Sequence, residues 1–143
     1  MILAYPTPST GRPIIIMAVN SNGHKVNFGM ILDTGADSTC FPASFAAFIG
    51  HNNSAPGVKR EICHGIGGLS ASHFHTLDLS LLDPYSYGVS GLPNIIWTSS
   101  VHQFRFVESF NSPYGLLGRD LMQEWKKVSL IPGKGRRTIE IEL

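Results

Sequence analysis

Charge is scarce in this sequence. Only 15% of its 143 residues are Asp, Glu, Lys or Arg, and the formal net charge is +1 with the six histidines neutral. So weak a field excludes a protein built for bulk nucleic-acid affinity. Cysteine is scarce too. Cys40 and Cys63 are the only two, too few for a disulfide framework, and the spacing leaves open whether they pair. No apolar run approaches the roughly 18 residues that cross a bilayer as a helix, so no membrane association is expected. Met1 to Thr10 has neither a basic start nor a long apolar stretch, so no signal peptide is expected. The expected location is then the cytoplasm, with reduced thiols, where the glycosylation-type Asn52-Asn53-Ser54 is idle. Repeats and domain-separating linkers are also lacking, so residues 1–143 are expected to form a single domain.

What is present is apolar and heavily punctuated. Hydrophobic residues make up 43% of the chain, which rules out disorder. A chain of this size buries enough surface to fold without a disulfide or a metal. Glycine (15) and proline (9) together are about one residue in six. They cut the chain into short pieces and exclude a coiled coil or a helical bundle. The cations gather late: Lys126, Lys127, Lys134, Arg136 and Arg137 are five of the 11 Lys and Arg. A solvated hairpin is the simple reading, and a basic patch for an acidic partner is the alternative.

Short strands dominate the pattern. Pro13 to Val19 is a β-rich run, Asn22-Gly23 is a hairpin turn signal, and Lys25 to Leu32 alternates with Val26, Phe28, Met30 and Leu32 on one face. Pro42 to Ile49 predicts a short helix, with Phe41, Phe45, Phe48 and Ile49 at helical spacing and Gly50 as C-cap. Glu61 to Leu69, with Gly65, Gly67 and Gly68, suits a hairpin tip. Phe74 to Leu82, Ile95 to Trp97 and Val101 to Val107 read as strands, and Asp83 to Asn94 as an insertion loop. Arg119 to Lys127 predicts a second helix with Leu121, Met122 and Trp125 inward. Val128 to Ile131 and Arg137 to Ile141 predict a final hairpin. The class that follows is all-β, a barrel or sandwich of short strands with one or two short helices.

The sharpest chemical feature is Met30-Ile31-Leu32-Asp33-Thr34-Gly35-Ala36-Asp37-Ser38. A carboxylate straight after an apolar strand is costly unless paired or hydrogen-bonded. The plain reading is a β-turn in which Asp33 caps its own backbone. Two further motifs shift the balance: Gly65-Ile66-Gly67-Gly68, and Tyr114-Gly115-Leu116-Leu117-Gly118-Arg119-Asp120-Leu121. Other constellations are weaker. His73 and His75, two apart and near Cys63 and His64, are zinc-type ligands, but their spacing fits no standard module. Surface histidines, with no metal and no cofactor, are the expectation. Cys63 lacks an evident orienting partner as a nucleophile. Gly88-Val89-Ser90-Gly91 lacks the spacing of a nucleophile elbow, and Gly133-Lys134-Gly135 lacks the rest of a P-loop.

In order and spacing the three motifs resemble the retropepsins, the retroviral-type aspartic proteases, over most of the chain from Arg12 to about Trp125. Gly11-Arg12-Pro13 before the first hairpin fits the same resemblance. It implies a closed small acid-protease barrel and a homodimeric aspartic endopeptidase acting on peptide bonds of a protein or peptide substrate. Asp33 would be the catalytic aspartate, Thr34 the inter-chain grip beneath it, and Gly35 a contact to substrate backbone. Asp37 would bind substrate main chain and pair with Arg119, while Arg12 would reach Asp37 of the partner subunit. Gly65, Ile66, Gly67 and Gly68 would form a mobile flap over substrate held in largely apolar pockets. Ala36 offers no hydroxyl to the carboxylates, which implies activity extending toward mildly acidic or neutral pH. Asp120 stands where the viral enzymes usually carry Asn. The short helix, the segment from Asp83 to Asn94 and the basic hairpin look like additions, and Arg137 to Leu143 is a plausible edge strand for an interleaved dimer sheet. The alternative is an inactive dimer of the same fold that binds peptides or partners. One Asp-Thr-Gly in 143 residues implies a site completed by a second copy of the chain.

Overall fold

The computed structural model describes residues 1–65, 68–87, 93–133 and 137–143. Its first hairpin follows from local chemistry. Strands β2 (Ile14–Ser21) and β3 (His24–Leu32) pair antiparallel from Ile14↔Ile31 to Ser21↔His24. Asn22 (φ 49°) and Gly23 (φ 82°) between them both occupy the left-handed region that a two-residue primed turn demands. With that hairpin, the described residues form twelve strands. Nine lie in one sheet, in the order β5-β6-β9-β4-β10-β3-β2-β7-β8; three lie in a second, in the order β1-β12-β11. The large sheet comprises β4 (Cys40–Pro42), β5 (Arg60–Gly65), β6 (Gly68–Thr76), β7 (Asp78–Tyr87), β8 (Pro93–Thr98), β9 (Gln103–Val107) and β10 (Gly115–Leu117) beside the first hairpin. The small sheet comprises β1 (Ile2–Pro6), β11 (Lys127–Ile131) and β12 (Thr138–Glu142). The pairing order is linear, with β5 and β8 at its ends. The expected mostly-β class is thus found, but a closed barrel is not found among the described residues.

The core is packed from both sheets. Met17, Val19, Leu79, Leu81, Phe104, Phe106 and Leu117 of the large sheet bury with Leu3, Ile139 and Ile141 of the small one. Phe41 lies in a stack of rings with Phe45 and Phe106, at centroid distances of 5.5 and 5.1 Å, and meets Phe104 edge-on. Phe45 belongs to a 3₁₀ helix, Ala43–Ile49, closed by Gly50 at φ 76°. Phe45, Ala46 and Ile49 are inside, whereas Phe48, expected inward at α-helical spacing, is 69% exposed, with its ring 6.2 Å from that of Phe45.

Four further expectations are corrected. The segment from Phe74 to Leu82 is not one strand, because Leu77 joins β6 to β7, although Leu77, Leu79 and Leu81 are buried together. Asp83 to Tyr87 continues β7 rather than forming a loop, and Pro93 and Asn94 begin β8. Pro84 is accommodated because β2 pairs only as far as Leu81 and the β7–β8 register shifts around Leu82. The remainder of that expected loop, 88–92, lies outside the described residues. The second helix, α1 (Arg119–Met122), is a single turn. Beyond it, turns swing Trp125 inward to meet Trp97 at 5.2 Å. Finally, the last strand is no edge. β12 sits between β1 and β11, with Ile139 and Ile141 fully buried. No strand is expected of Ile2–Pro6 from the sequence, and pairing of β1 with β12 from Ile2↔Glu142 to Pro6↔Thr138 is what makes β12 central. Among the described residues no helix is long and apolar enough to cross a membrane.

Candidate active site

Asp33 is delivered by β3 and held by the strand beside it. β10 runs parallel to β3, with Leu117 opposite Leu32, and the Asp33 N–H donates to the Leu117 carbonyl at 3.0 Å. The Gly35 N–H donates to Asp33 Oδ1 at 2.9 Å, and the Ala36 N–H to the Asp33 carbonyl at 3.2 Å. The self-capping contact of a plain turn is therefore made. What distinguishes Asp33 is its setting, half-buried on the floor of a groove of about 490 Å³ that Gly35, Ala36 and Asp37 also line. Thr34 and Arg12 are exposed.

The turn is fastened to α1. The N–H groups of Arg119 and Asp120 donate to the carbonyls of Ala36 and Asp37, at 2.9 and 3.3 Å. Those are donors that the first turn of a helix leaves without intrahelical partners. Asp120 reaches back in exchange. Its Oδ1 accepts from the Thr39 N–H at 3.0 Å, the Thr39 hydroxyl at 2.7 Å and the Leu121 N–H at 2.9 Å. The Thr39 oxygen in turn accepts from the Gly118 N–H at 3.0 Å. Thr39 is buried, so this network is shielded from competing water. A carboxylate suits the place, since every group facing it there is a donor. Asp37 and Arg119 form an ion pair within the chain. Both are largely exposed, so the pair orients more than it stabilises.

Opposite the floor stands the hairpin of β5 and β6, paired from Arg60↔His73 to Gly65↔Gly68. Residues directly opposite share a face. Glu61, Ser70 and Gly68, all from one face, line the groove, with His64 near the tip. Ile66 and Gly67 of the expected flap lie outside the described residues, as does the side chain of Cys63, and with it any pairing to Cys40. Cys40 is buried and lines the groove.

The wall departs from the expected apolar pockets. Val107, Leu116 and Cys40 supply apolar surface, but Arg105 of β9 lies among them. Its Nη2 is 3.3 Å from Glu61 Oε1, and its guanidinium sits over the Phe74 ring, 4.8 Å from the centroid. Neither Arg105 nor Glu61 had a signal in the sequence, being 44 positions apart in unremarkable strands.

Of the expected surface histidines, His64 is exposed but the other two are not. His73 and His75 are 6% and 4% exposed. His73 Nε2 lies 2.7 Å from Glu108 Oε1, a hydrogen bond that holds the Glu108 carboxyl below its ordinary range. His75 Nε2 contacts Asn53 Oδ1 at 2.7 Å, and its ring stacks on His51 at 4.6 Å. Burial, and then the neighbouring His51 and His73, push His75 down to about 4. Among the described residues no three metal-type ligands converge.

No protein-family model and no curated protein matches the chain. Solved structures do. A retropepsin-like aspartic protease from Rickettsia conorii superposes over 98% of this chain and 89% of its own, with a TM-score of 0.60 and 15% identity. The EIAV protease, in complex with the inhibitor HBY-793, covers 79% of this chain and 86% of its own, with a TM-score of 0.51 and 17% identity. At such identities the shared property is the fold, which is retropepsin-like.

Proposed function

We propose that the chain is a homodimeric aspartic endopeptidase whose active site is a pair of Asp33 carboxylates, one from each of two copies. The observation that carries this reading is a single Asp-Thr-Gly turn, braced by α1, with its carboxylate on the floor of a peptide-sized groove. The retropepsin-like fold supports it. One carboxylate cannot serve as acid and base in a single step. Two held about 3 Å apart cannot both ionise, so they share a proton. The ionised member takes a proton from water as that water attacks the scissile carbonyl; the neutral member donates to the carbonyl oxygen. The titration belongs to the pair. Thr34 would grip its counterpart beneath the dyad, Gly35 would meet substrate backbone, and Asp37, steadied by Arg119, would bind substrate main chain. Arg12 would reach Asp37 of the second copy. Residues 65–68 would close over an extended peptide, which would gain main-chain hydrogen bonds as an added strand does.

The test is a peptidase assay across pH on wild type and Asp33→Asn, with oligomeric state measured on the same samples. Wild type is expected to cleave as a dimer, into mildly acidic or neutral pH because Ala36 supplies no hydroxyl. The variant is expected to lose about 10⁴-fold in rate. Cleavage that survives in Asp33→Asn overturns the mechanism, an active monomer overturns the shared dyad, and activity confined to strongly acidic pH overturns the role given to Ala36.

A further inference from the structure

We infer that the groove beside Asp33 contains a subsite for an acidic side chain of the bound peptide, built on Arg105. The inference rests on the peptidase reading only in taking the groove to hold a peptide.

Arg105 faces the groove by register. Ile31, Leu116, Cys40, Arg105 and Phe74 form one row across β3, β10, β4, β9 and β6, and neighbours in such a row project to the same side. Leu116, Cys40 and Arg105 of that row all line the cavity. The Arg105 side chain is only 27% exposed, so its charge is less screened than that of the outlying Asp37–Arg119 pair.

The local charges do not cancel. Glu61 meets Arg105 through Oε1 at 3.3 Å and Lys59 through Oε2 at 3.8 Å. Lys59 Nζ lies over the same Phe74 ring as the guanidinium, also at 4.8 Å. Two cations thus share one carboxylate, leaving a single positive charge in surplus among the described residues. Guanidinium carries five N–H donors in a planar fork, and one long contact to Glu61 leaves most of them for a second carboxylate. Exposed His64 also lines the groove. Asp33 does not offset the cluster. Three strand spacings separate β9 from β3, roughly 14 Å, beyond the screening length of about 8 Å at physiological ionic strength. That distance also makes this a subsite for a residue flanking the scissile bond, where an acidic side chain would lie against Arg105 with Glu61 as its competitor.

The experiment compares peptides with an apolar scissile pair and Glu, Gln or Lys placed at each flanking position in turn. In wild type, Glu at one position is expected to raise kcat/KM about tenfold over Gln, with Lys lower still. Arg105→Gln is expected to erase the Glu-to-Gln ratio. Glu61→Gln, which removes the competing carboxylate, is expected to widen it, a change of opposite sign that general misfolding does not produce. The same ratios are read as binding to Asp33→Asn by fluorescence anisotropy, where no cleavage is needed. A Glu-to-Gln ratio within twofold in wild type, or one unmoved by both variants, overturns the subsite. Selective binding without cleavage by wild type overturns the peptidase reading and leaves the subsite standing. Failure of every peptide to bind overturns the subsite.

Discussion

A single backbone approach fixes the Asp33 turn at the scale of the residue. A Cβ on Gly118 would lie 2.6 Å from the Ser38 carbonyl carbon and 2.8 Å from the Thr39 nitrogen, both backbone atoms that cannot swing aside. Gly118 has an extended φ of −93°, so the requirement is space and not a left-handed conformation. The contact matters because the same stretch carries the Thr39–Asp120–Gly118 network that pins residues 33–38 against α1. Gly118→Ala is therefore expected to cost about 3 kcal/mol or more, as overpacking against fixed neighbours does. Urea unfolding checks this, and a midpoint close to wild type would show that the turn can shift at little cost. The motif Leu-Leu-Gly-Arg-Asp was legible in the sequence, because its spacing is local. The reason for its glycine was not, because Ser38 and Thr39 approach it only once β10 lies beside β3 and β4.

The elements behind the groove carry a pH dependence of their own. β6 places His73 and His75 on its buried face, a position the alternation of the strand permits but the residue type does not advertise. His75 is held neutral, its value pushed down to about 4 from the ordinary 6.5, by burial first and then by His51 and His73. The unfolded chain takes up that proton near pH 6.5, the folded chain only near pH 4. The contribution of the neutral ring is thus present above pH 6.5 and lost as pH falls from 6.5 to 4. Stability from urea titrations at stepped pH is expected to fall across that window. His75→Phe, which cannot take up a proton, is expected to flatten the slope while lowering stability overall through loss of the Asn53 contact. An unchanged slope in the variant would place the acid sensitivity elsewhere. The proposed peptidase, if active in mild acid, would then operate on the shoulder of its own stability curve.

The whole molecule has one Asp-Thr-Gly turn, and the proposed chemistry needs two. A surface that would join two copies must differ in detail from one in which a terminal strand is left open for exchange. Here β12 is already paired on both sides, by β1 and β11. The small sheet is also tied to the large one: the Tyr5 hydroxyl donates to the Leu82 carbonyl at 2.6 Å, and burial with nearby Asp83 pushes that hydroxyl well above its ordinary range. The edges left for a partner are β1 and β11, where Met1, Ile2, Leu130 and Ile131 are exposed. A shared dyad predicts that peptidase activity per chain falls on dilution, in step with dissociation measured by sedimentation. Activity per chain that stays constant through complete dissociation would remove the need for a second copy.

The sequence by itself determined what short-range chemistry encodes. Asn22-Gly23 set the first hairpin, the apolar run before Asp33 set the strand that delivers it, Gly50 closed the short helix, and three motifs in series indicated the fold. The tertiary structure alone decided which strand became central and which charges met. β12 is interior only because Ile2–Pro6, at the other end of the chain, pairs with it. Arg105 and Glu61 share the groove only because β9 and β5 flank β6. Turns and periodicities are written within a few residues. The order of strands, and hence the company a charged side chain keeps, is settled by pairings between segments far apart in the chain, whose separate patterns look alike.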